Sequence, residues 1–591
     1  MNRTPHMMHH RMKMLVQILL VAFVLGLTLP VMAVEHADRV AINGKFYTVN
    51  AEQPWAEAVA VKDTDIVYVG DNEGAKKLIG PDTIVGDLQG RLVLPGLVSG
   101  HEHPLVTAAF AAALQLEYSE DKDKMLKAVA DYIKERPDAA RMSWGGSYEG
   151  RVEIYREDID KITTEPFVMI AASGHGAWIN SSALEALGVT KGKKMPVDGF
   201  EYKEDGTPTG YLSTSAAAMY AVIQLELIQK DALLENLPEV IAMYNSYGFT
   251  AVYDAGTPPG AEPVIFDAVS EIEKQGKLNL RISASVIAQR PIHLERAFEI
   301  LEEVTPKYTS EIFTVRTLKM HGGALDGYSA PLLQPYSDRP DYSGPVIFPV
   351  EVRNEASIKA AKLGYDIHTH VIGDRAIREA LDSFEAIRKA GLDDVRLTTG
   401  HSSMVHPEDE ARYKEYNVTL NTYATKNSVP DETNELRIGP ERLKYWHANR
   451  SLINKGVRLA MSADSPTAPL DPFLQIEVSV LRKEPEQDSA LHPEQGLTLE
   501  EAIYAYTMGP AYQIRGNKLF GSIEVGKRAD LVVLSQNLFE VKPEQYHDTQ
   551  AILTMLNGRI VHEASIDWDS PIEDFRFDAC GTGGLDHDHK K

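Results

Sequence analysis

Two patterns of apolar and polar residues divide the chain. Over residues 37–94, short β-rich runs alternate with turn residues, which is typical of small antiparallel strands. From Pro95 onward, apolar strand-like runs alternate with stretches of helical periodicity instead. Eight such strand-like runs occur: VLPGLVSG, FTAVYDAG, RISASVIA, FTVRTLKM, YDIHTHVIG, VRLTTG, VTLNTY and RLAMSAD.

Eight β/α alternations predict an α/β fold with a closed parallel (β/α)8 barrel of the TIM type. The gap between the first and second strand runs, about residues 105–247, is too long for a connector and predicts an insertion with its own structure. Past the barrel, residues 521–534 and 551–562 return to short β runs. We therefore expect the N- and C-terminal segments to pair into one small β-sandwich beside the barrel.

These patterns predict five segments along the chain. Residues 1–33 form a signal peptide, residues 34–94 the first part of the sandwich, and residues 95–504 the barrel with its insertion. Residues 505–563 supply a closing helix and the second part of the sandwich. Residues 564–591 form a polar tail that we expect to be disordered, although its DHDHKK end could bind a metal weakly.

The N-terminal segment predicts export. Arg3, Arg11 and Lys13 precede an apolar run over residues 15–29, and Val31 and Ala33 are small residues at the −3 and −1 positions of a cleavage site. The alternative is an uncleaved anchor, but the run is short for a bilayer span. We expect a periplasmic or secreted protein that has no stable membrane span after cleavage.

Composition narrows the class of protein. The chain has 591 residues, of which 43% are apolar and 25% are charged, so it fits a large globular domain with at least one smaller one. The net charge of −25, which signal removal would make −28, argues against nucleic acid as a partner. The single cysteine, Cys580, excludes an internal disulfide. The oligomeric state stays open.

Candidate chemistry begins at the end of the first barrel strand, in the run GHEHP. Side chains alternate along a strand, so His101 and His103 point the same way. Two imidazoles on one face at the mouth of a barrel form an arrangement that suits metal binding. The alternative is that two histidines fall there by chance.

Several motifs carry a family resemblance. LPGLVSGHEHP resembles the first-strand signature of the amidohydrolase superfamily. Later segments resemble, in order, those of its YtcJ-like branch, also called amidohydrolase family 3, and together the matches span about residues 37–562. These segments are SGHGAWINSSAL, EDGTPTG, GYDIHTHVIGDRAI, MSADSPTAPLDPF, LTLEEAIYAYTMGPAYQ and GSIEVGKRADLVVL.

The resemblance implies six metal ligands on barrel strands one, four, five, six and eight. A neutral imidazole donates a lone pair to a cation such as Zn²⁺, and an aspartate supplies negative charge. We expect one or two Zn²⁺ ions, with another divalent metal as the alternative. The implied ligands are His101, His103, Lys319, His370, His401 and Asp464.

Lys319 needs a chemical change before it can bind a metal. An ammonium group has no lone pair, so this lysine can be a ligand only when deprotonated or converted to a carbamate, which would bridge two cations. We predict carboxylation and two metals. The alternative is a lysine that reaches the barrel rim or pairs with an acid.

The chain departs from the branch at two positions. The branch usually carries Lys-x-x-x-Asp-Gly, but Gly323 stands here at the aspartate position and Asp326 comes later. It also usually has an acidic residue before the strand-six histidine, where this chain has Gly400. We therefore expect an altered substrate pocket.

Other residues are candidates with weaker chemistry. His368 and His321 are interpreted as core histidines rather than ligands. His175 is predicted to contact substrate, with a structural role as the alternative. Trp144 and Tyr148 are predicted to line the same pocket, although aromatic residues in a long insertion also build its core.

The resemblance implies an amidohydrolase that acts on a small-molecule substrate. The implied reaction is hydrolysis of a carbon–nitrogen bond other than a peptide bond, in a small amide, N-acyl or N-formyl compound, by metal-activated water. Asp464 would move the proton from the water to the leaving nitrogen. The alternatives are deamination or opening of a cyclic amidine or lactam, and a non-catalytic periplasmic regulator of extracellular enzyme production. The intact ligand positions argue against the regulator.

Overall fold

The computed structural model describes residues 36–137, 141–147, 151–172, 174, 176–325, 328–425 and 432–564. The predicted signal peptide, nearly all of the polar tail, and the residues Cys580, Tyr148, His175 and Asp326 lie outside this range. Over the described residues, no helix is both long enough and apolar enough to cross a membrane.

The centre of the protein is a sheet of eight parallel strands that follow one another in chain order around a barrel. Each of the eight predicted apolar runs overlaps one strand, so the predicted (β/α)8 barrel is confirmed. The strands are β1 (Leu97–Glu102), β2 (Phe249–Thr257), β3 (Arg281–Ala288), β4 (Phe313–His321), β5 (Asp366–Val371), β6 (Leu397–His401), β7 (Val418–Thr422) and β8 (Arg458–Met461).

The barrel closes where β8 approaches β1, and Gly100 makes this approach possible. A Cβ atom at Gly100 would lie 2.4 Å from Asn421 Nδ2 and 3.3 Å from Ala460 Cβ, so a larger residue would push the strands apart. Just beyond the strands, the Asp464 amide donates a hydrogen bond to the His101 carbonyl over 3.2 Å. Closure therefore brings the end of β8 against the end of β1.

Amphipathic helices cover the outside of the barrel. Leu294–Val304 buries Leu294, Ala297, Phe298, Leu301 and Val304 against β3 and β4, as its 3.6-residue periodicity predicts. The α-helices are Asn72–Lys76, Pro104–Phe110, Lys122–Glu135, Arg156–Asp160, Ser181–Ala186, Ser215–Gln224, Lys230–Ser246, Glu262–Lys274, Leu294–Val304, Val350–Lys362, Asp374–Lys389, Glu410–Glu415, Glu432–Leu443, Asn449–Asn454, Pro472–Leu481, Leu499–Ala505 and Met508–Gln513. Short 3₁₀ helices are Pro291–His293, Pro493–Gln495 and Pro543–Asp548.

Two sheets beside the barrel combine the N- and C-terminal segments. Leu92–Pro95 pairs antiparallel with Leu531–Leu534, and this pairing joins the two ends of the chain. Phe46, Val59 and Ile552 belong to the apolar core between the sheets. One sheet contains Arg39–Ile42, Ala58–Lys62, Asp65–Gly70 and Ile84–Asp87; the other contains Lys45–Tyr47, Trp55–Ala56, Leu92–Pro95, Leu531–Leu534, Ala551–Leu556 and Arg559–Glu563.

The stretch between β1 and β2 carries a sheet of its own with six strands. Two of its neighbouring strands each carry an aromatic residue, and the Trp178 ring stacks on that of Tyr211 with 6.2 Å between the ring centroids. The strands are Leu114–Leu116, Met142–Gly145, Val168–Ile170, Ala177–Ile179, Phe200–Tyr202 and Pro208–Leu212.

A buried ionic network joins the amino-terminal ends of β3 and β4 to the sandwich. The Arg281 guanidinium forms an ion pair with Asp530 and a second one with Glu311 over 3.1 Å. Arg528 donates to both oxygens of Glu311, over 2.9 and 2.7 Å, and pairs with Asp65. Opposite charges therefore meet at this end of the barrel.

Candidate metal centre

The carboxyl ends of the barrel strands gather histidine, lysine and aspartate side chains at one mouth. His101, His401 and Asp464 each offer one ligand atom, and these three atoms lie within 4.8 Å of one another. Asp464 Oδ1 is 3.5 Å from His101 Nε2 and 3.3 Å from His103 Nε2. Three of the predicted ligands, His101, His103 and His401, thus lie around the carboxylate of a fourth, Asp464.

Lys319 reaches the same cluster from β4. Its Nζ atom lies 3.2 Å from His101 Nε2, and its side chain is buried. Burial lowers the pKa of Lys319 to about 8, although the carboxylates of Asp464 and Asp254 act in the opposite direction. A lysine with this pKa has a substantial neutral fraction near neutral pH, so its nitrogen lone pair is available for chemistry.

His370 stands at the edge of the cluster. Its ring lies 4.2 Å from the rings of both His401 and His321, measured between centroids, and its Nε2 atom is 3.0 Å from the Gly323 carbonyl oxygen. His321, which the sequence reading placed in the core, stacks on His370 and borders the mouth instead. The structure thus brings all six predicted ligands to one region, and metal binding by them stays a prediction.

The donor set fits a divalent cation. His401 is buried, and neither of its ring nitrogens has a hydrogen-bond partner among the described residues. Burial, and next the nearby charge of Lys319, lower the pKa values of His101 and His401 well below the usual range, so both rings are neutral lone-pair donors. Buried polar atoms without partners cost free energy, and a bound cation would remove that cost.

His368 is buried as expected, but it also has a specific partner that sequence reasoning missed. Its Nε2 atom lies 3.1 Å from His101 Nδ1, and its ring stacks on Tyr253 at 4.7 Å. A histidine that binds metal through one ring nitrogen usually makes a hydrogen bond through the other. His368 is therefore positioned to orient the His101 ring.

The unusual glycine before the β6 histidine is explained by the same contact. A Cβ atom at Gly400 would lie 2.5 Å from His368 Nε2 and 3.0 Å from His101 Nδ1. The space that a larger residue at this position would need is filled by His368. Gly400, one of the two departures from the branch pattern, therefore leaves the space that the His368 ring occupies.

Glu102, between the two β1 histidines, is a second residue that sequence reasoning missed. It is buried, and its carboxylate accepts hydrogen bonds from the Ser99 hydroxyl over 2.6 Å and from the Ala463 and Ser465 amides over 2.7 Å each. Burial raises the pKa of Glu102 to about 8, while these three donors favour the charged form. The x position of an H-x-H motif is the only signal in the sequence.

A cavity of about 180 Å³ lies above the cluster. Trp144 contributes to its wall and packs edge-on against Phe110 at 4.8 Å, so this predicted residue lies at the pocket. Contact of Trp144 with substrate stays a prediction. Apolar and small polar side chains form most of the remaining wall: Val106, Met219, Ile287, Ser215, Gln289 and Thr467.

Comparisons with known proteins agree with this architecture. A model of the amidohydrolase family matches residues 85–562. YtcJ of Bacillus subtilis, whose name refers to the amidohydrolases, is 28% identical over 88% of this chain and 99% of its own length. The N-substituted formamide deformylase of Arthrobacter pascens is 25% identical over 89% of this chain and 98% of its own.

A solved structure has the same fold. The crystal structure of an uncharacterized metal-dependent hydrolase from Pyrococcus horikoshii matches with a TM-score of 0.71 and 23% identity, over 85% of this chain and 99% of that chain. At this identity the likeness concerns the fold alone. The family match and the relatives confirm both the expected resemblance and the expectation of a hydrolytic enzyme.

Proposed function

The chain belongs to the amidohydrolase family, and on that premise we propose that it hydrolyses a carbon–nitrogen bond other than a peptide bond in a small amide, N-acyl or N-formyl compound. The observation that carries the proposal is that ligand atoms of His101, His401 and Asp464 lie within 4.8 Å of one another at the mouth of the barrel. Among the described residues, neither ring nitrogen of His401 has a hydrogen-bond partner. In (β/α)8 enzymes, this mouth is where active sites lie.

We propose Zn²⁺ as the ion, held by His101, His103, His370, His401 and Asp464. A divalent cation would supply Lewis acidity to the scissile carbonyl and to the attacking water. The neutral imidazoles and the single carboxylate form a mixed nitrogen and oxygen set, which suits zinc better than Mg²⁺ or Ca²⁺.

Two ions need one further ligand, and Lys319 is the candidate. The neutral Nζ atom would attack the carbon of CO₂: an N–C bond forms, one C=O π bond breaks with its electron pair passing to oxygen, and the proton lost from nitrogen goes to solvent. The resulting carbamate has one negative charge shared by two oxygens, so it would replace the positive charge of the lysine with a negative one. The lowered pKa of Lys319 supports this proposal because only the neutral amine reacts.

Asp464 is the proposed proton carrier. Its Oδ1 atom faces the histidines, while its Oδ2 atom accepts a hydrogen bond from the Thr467 hydroxyl over 3.1 Å at the cavity wall. About a fifth of the side chain, 18%, is exposed, so a water or a leaving amine in the cavity can reach it. It would take a proton from the attacking water and deliver it to the leaving nitrogen.

The size and lining of the cavity favour a small substrate. A cavity of about 180 Å³ holds a few heavy atoms beyond the reacting group, and Val106, Met219 and Ile287 offer apolar contact. The relative whose name describes a deformylase of N-substituted formamides agrees with such a compound. Deamination or lactam opening would use the same residues and differ in the product.

A product assay tests the proposed reaction. The zinc-loaded protein is incubated with matched N-formyl, N-acetyl, lactam and aminopyrimidine compounds, and released amine, carboxylate and ammonia are each measured. Amine and carboxylate in equal amounts from an N-formyl or N-acetyl compound are expected. Ammonia alone would assign deamination instead, and a ring-opened product would assign lactam hydrolysis.

We also propose export through the N-terminal segment, on the sequence features described above. Edman sequencing of the protein recovered from a periplasmic fraction tests this. An N-terminus at Val34 is expected, whereas full-length protein that stays with the membrane would indicate the anchor.

A further inference from the structure

We propose that Glu102 is a positioning residue that holds Asp464 against His101 and His103 by binding the backbone amides on both sides of Asp464. The inference rests on the proposed function, because it gives Asp464 a role at the metal and in proton transfer. It concerns a residue that is itself neither a ligand nor a proton carrier.

Alternation along β1 separates Glu102 from the metal cluster. His101 lies on β1 and His103 directly follows the strand, and the Nε2 atoms of both lie near Asp464 Oδ1, at 3.5 and 3.3 Å. The Glu102 carboxylate binds other partners and does not join them as a ligand. It instead spans the seam where the barrel closes. One carboxylate oxygen accepts from the Ala463 amide and the other from the Ser465 amide, each over 2.7 Å.

Three consecutive amides after β8 are therefore bound to β1. The Asp464 amide donates to the His101 carbonyl over 3.2 Å, between the two amides that bind Glu102. The His103 amide returns a hydrogen bond to the Ser465 carbonyl over 3.0 Å. These hydrogen bonds fix the position of the Asp464 backbone relative to His101 and His103.

The backbone of Asp464 needs this support. Its φ angle is +61°, in the left-handed region that non-glycine residues rarely adopt. Aspartate adopts this conformation more readily than most L-residues, but it remains strained and persists where the surroundings determine it. Because the turn takes the chain out of the regular β ladder, the Ala463 and Ser465 amides need another acceptor, and Glu102 supplies it.

Ser99 offers a matched control. Its hydroxyl donates to the same carboxylate over 2.6 Å, and it is buried like Glu102, but it does not touch the backbone around Asp464. Ser99→Ala therefore removes one hydrogen bond from Glu102 and leaves both amide contacts in place. Glu102→Gln keeps the shape of the side chain but turns an NH₂ group toward one of the two amide donors.

The experiment compares wild type, Glu102→Gln and Ser99→Ala as full-length zinc-loaded proteins. Zinc affinity is measured by competition with a chelator, kcat and KM are measured on the best amide substrate, and the unfolding of the metal-free proteins is measured in urea.

For Glu102→Gln we expect zinc affinity to fall about 10- to 100-fold. We also expect kcat to fall by at least about tenfold with KM changed less than about threefold, because orientation at the reacting atoms is lost. Ser99→Ala should stay within about twofold of wild type in both.

Wild-type zinc affinity and kcat in Glu102→Gln, with only the urea midpoint lowered, would overturn the proposal and leave Glu102 a purely structural residue. Equal losses in Ser99→Ala and Glu102→Gln would overturn it too, because they would reflect any lost buried hydrogen bond. If Glu102→Gln fails to fold, Glu102→Asp replaces it, since the shorter carboxylate cannot reach both amides. Wild-type protein that binds no zinc would instead overturn the proposed function, and this inference with it.

Discussion

Polar and charged side chains cluster at both ends of the barrel, but they are paired differently at the two ends. At the amino-terminal end, Arg281 and Arg528 meet Asp530, Glu311 and Asp65, so cations and anions face each other. At the carboxyl end, imidazole and amine nitrogens lie around Asp464, and no described residue makes a hydrogen bond to either ring nitrogen of His401.

This difference separates structural from functional polar clusters. In the ionic network at the amino-terminal end each cation has an anionic partner within the protein, and these ion pairs join the sandwich to the barrel. The cluster at the carboxyl end contains a nitrogen lone pair, at His401, that no donor among the described residues satisfies, and a bound cation would satisfy it. A buried charge is thus weak support for function, whereas a buried set of unmatched lone pairs is strong support.

Asp464→Asn should give the largest effect. The amide cannot accept and return a proton, so we expect kcat to fall by about 10³-fold or more. The urea unfolding of the metal-free protein should stay close to wild type, because asparagine has nearly the same shape as aspartate and tolerates the left-handed backbone of this position. Retained turnover in this variant would mean that another group moves the proton.

Asp530→Ala should show the opposite behaviour at the other end of the barrel. It leaves Arg281 with one fewer anionic partner in a buried place, and breaking such pairs typically costs about 3–5 kcal/mol of unfolding free energy. Zinc content and kcat of the folded fraction should not change. A fall in zinc affinity would show that the two ends of the barrel are energetically coupled. It would contradict the separation into a structural and a functional cluster.

Lys319→Ala tests the bridging ligand. We expect the zinc content to fall from two ions per chain to one or fewer, measured by elemental analysis after purification without chelator. Lys414→Ala is a control because Lys414 lies outside the mouth of the barrel, beside a separate surface cavity. Two ions retained in Lys319→Ala would exclude a lysine carbamate as the bridge.

Gly400→Ala tests the packing at the back of His101. The added methyl group would lie 2.5 Å from His368 Nε2 and would displace that ring, so zinc affinity should fall by roughly tenfold. Combining it with His368→Ala relieves the collision, and the two changes should therefore not be additive. Additive losses in the chelator competition would contradict the shared packing of these residues.

The smallest effect is a pH dependence of metal loading. Below pH about 8 Lys319 is mostly an ammonium, and above it mostly a neutral amine that can react with CO₂. Uptake of the second zinc ion by metal-free protein in bicarbonate should therefore rise as pH increases from 7 to 9. The same uptake without bicarbonate should be slower, and an identical rate in both buffers would argue against a carbamate.

The strands could be predicted because they follow from local patterns, whereas the six ligand positions came from the family resemblance and metal binding by them stays a prediction. Eight apolar runs with intervening helical periodicity define the barrel, and a histidine at a strand end already faces its mouth. The roles of Glu102 and His368 could not be predicted this way, because they depend on contacts with segments that are distant in sequence. The contact of Glu102 with Ser465 depends on barrel closure, and that of His368 with Gly400 depends on register between neighbouring strands.

The most direct test of the account is the zinc content of the unaltered full-length protein, measured by elemental analysis after purification without chelator. Two equivalents per chain, lost on dialysis against a chelator together with amide hydrolysis and regained with it on adding zinc, are the predicted result. A protein that binds no divalent metal would contradict the account, because the cluster of histidines, lysine and aspartate at the mouth of the barrel would then not be a metal site.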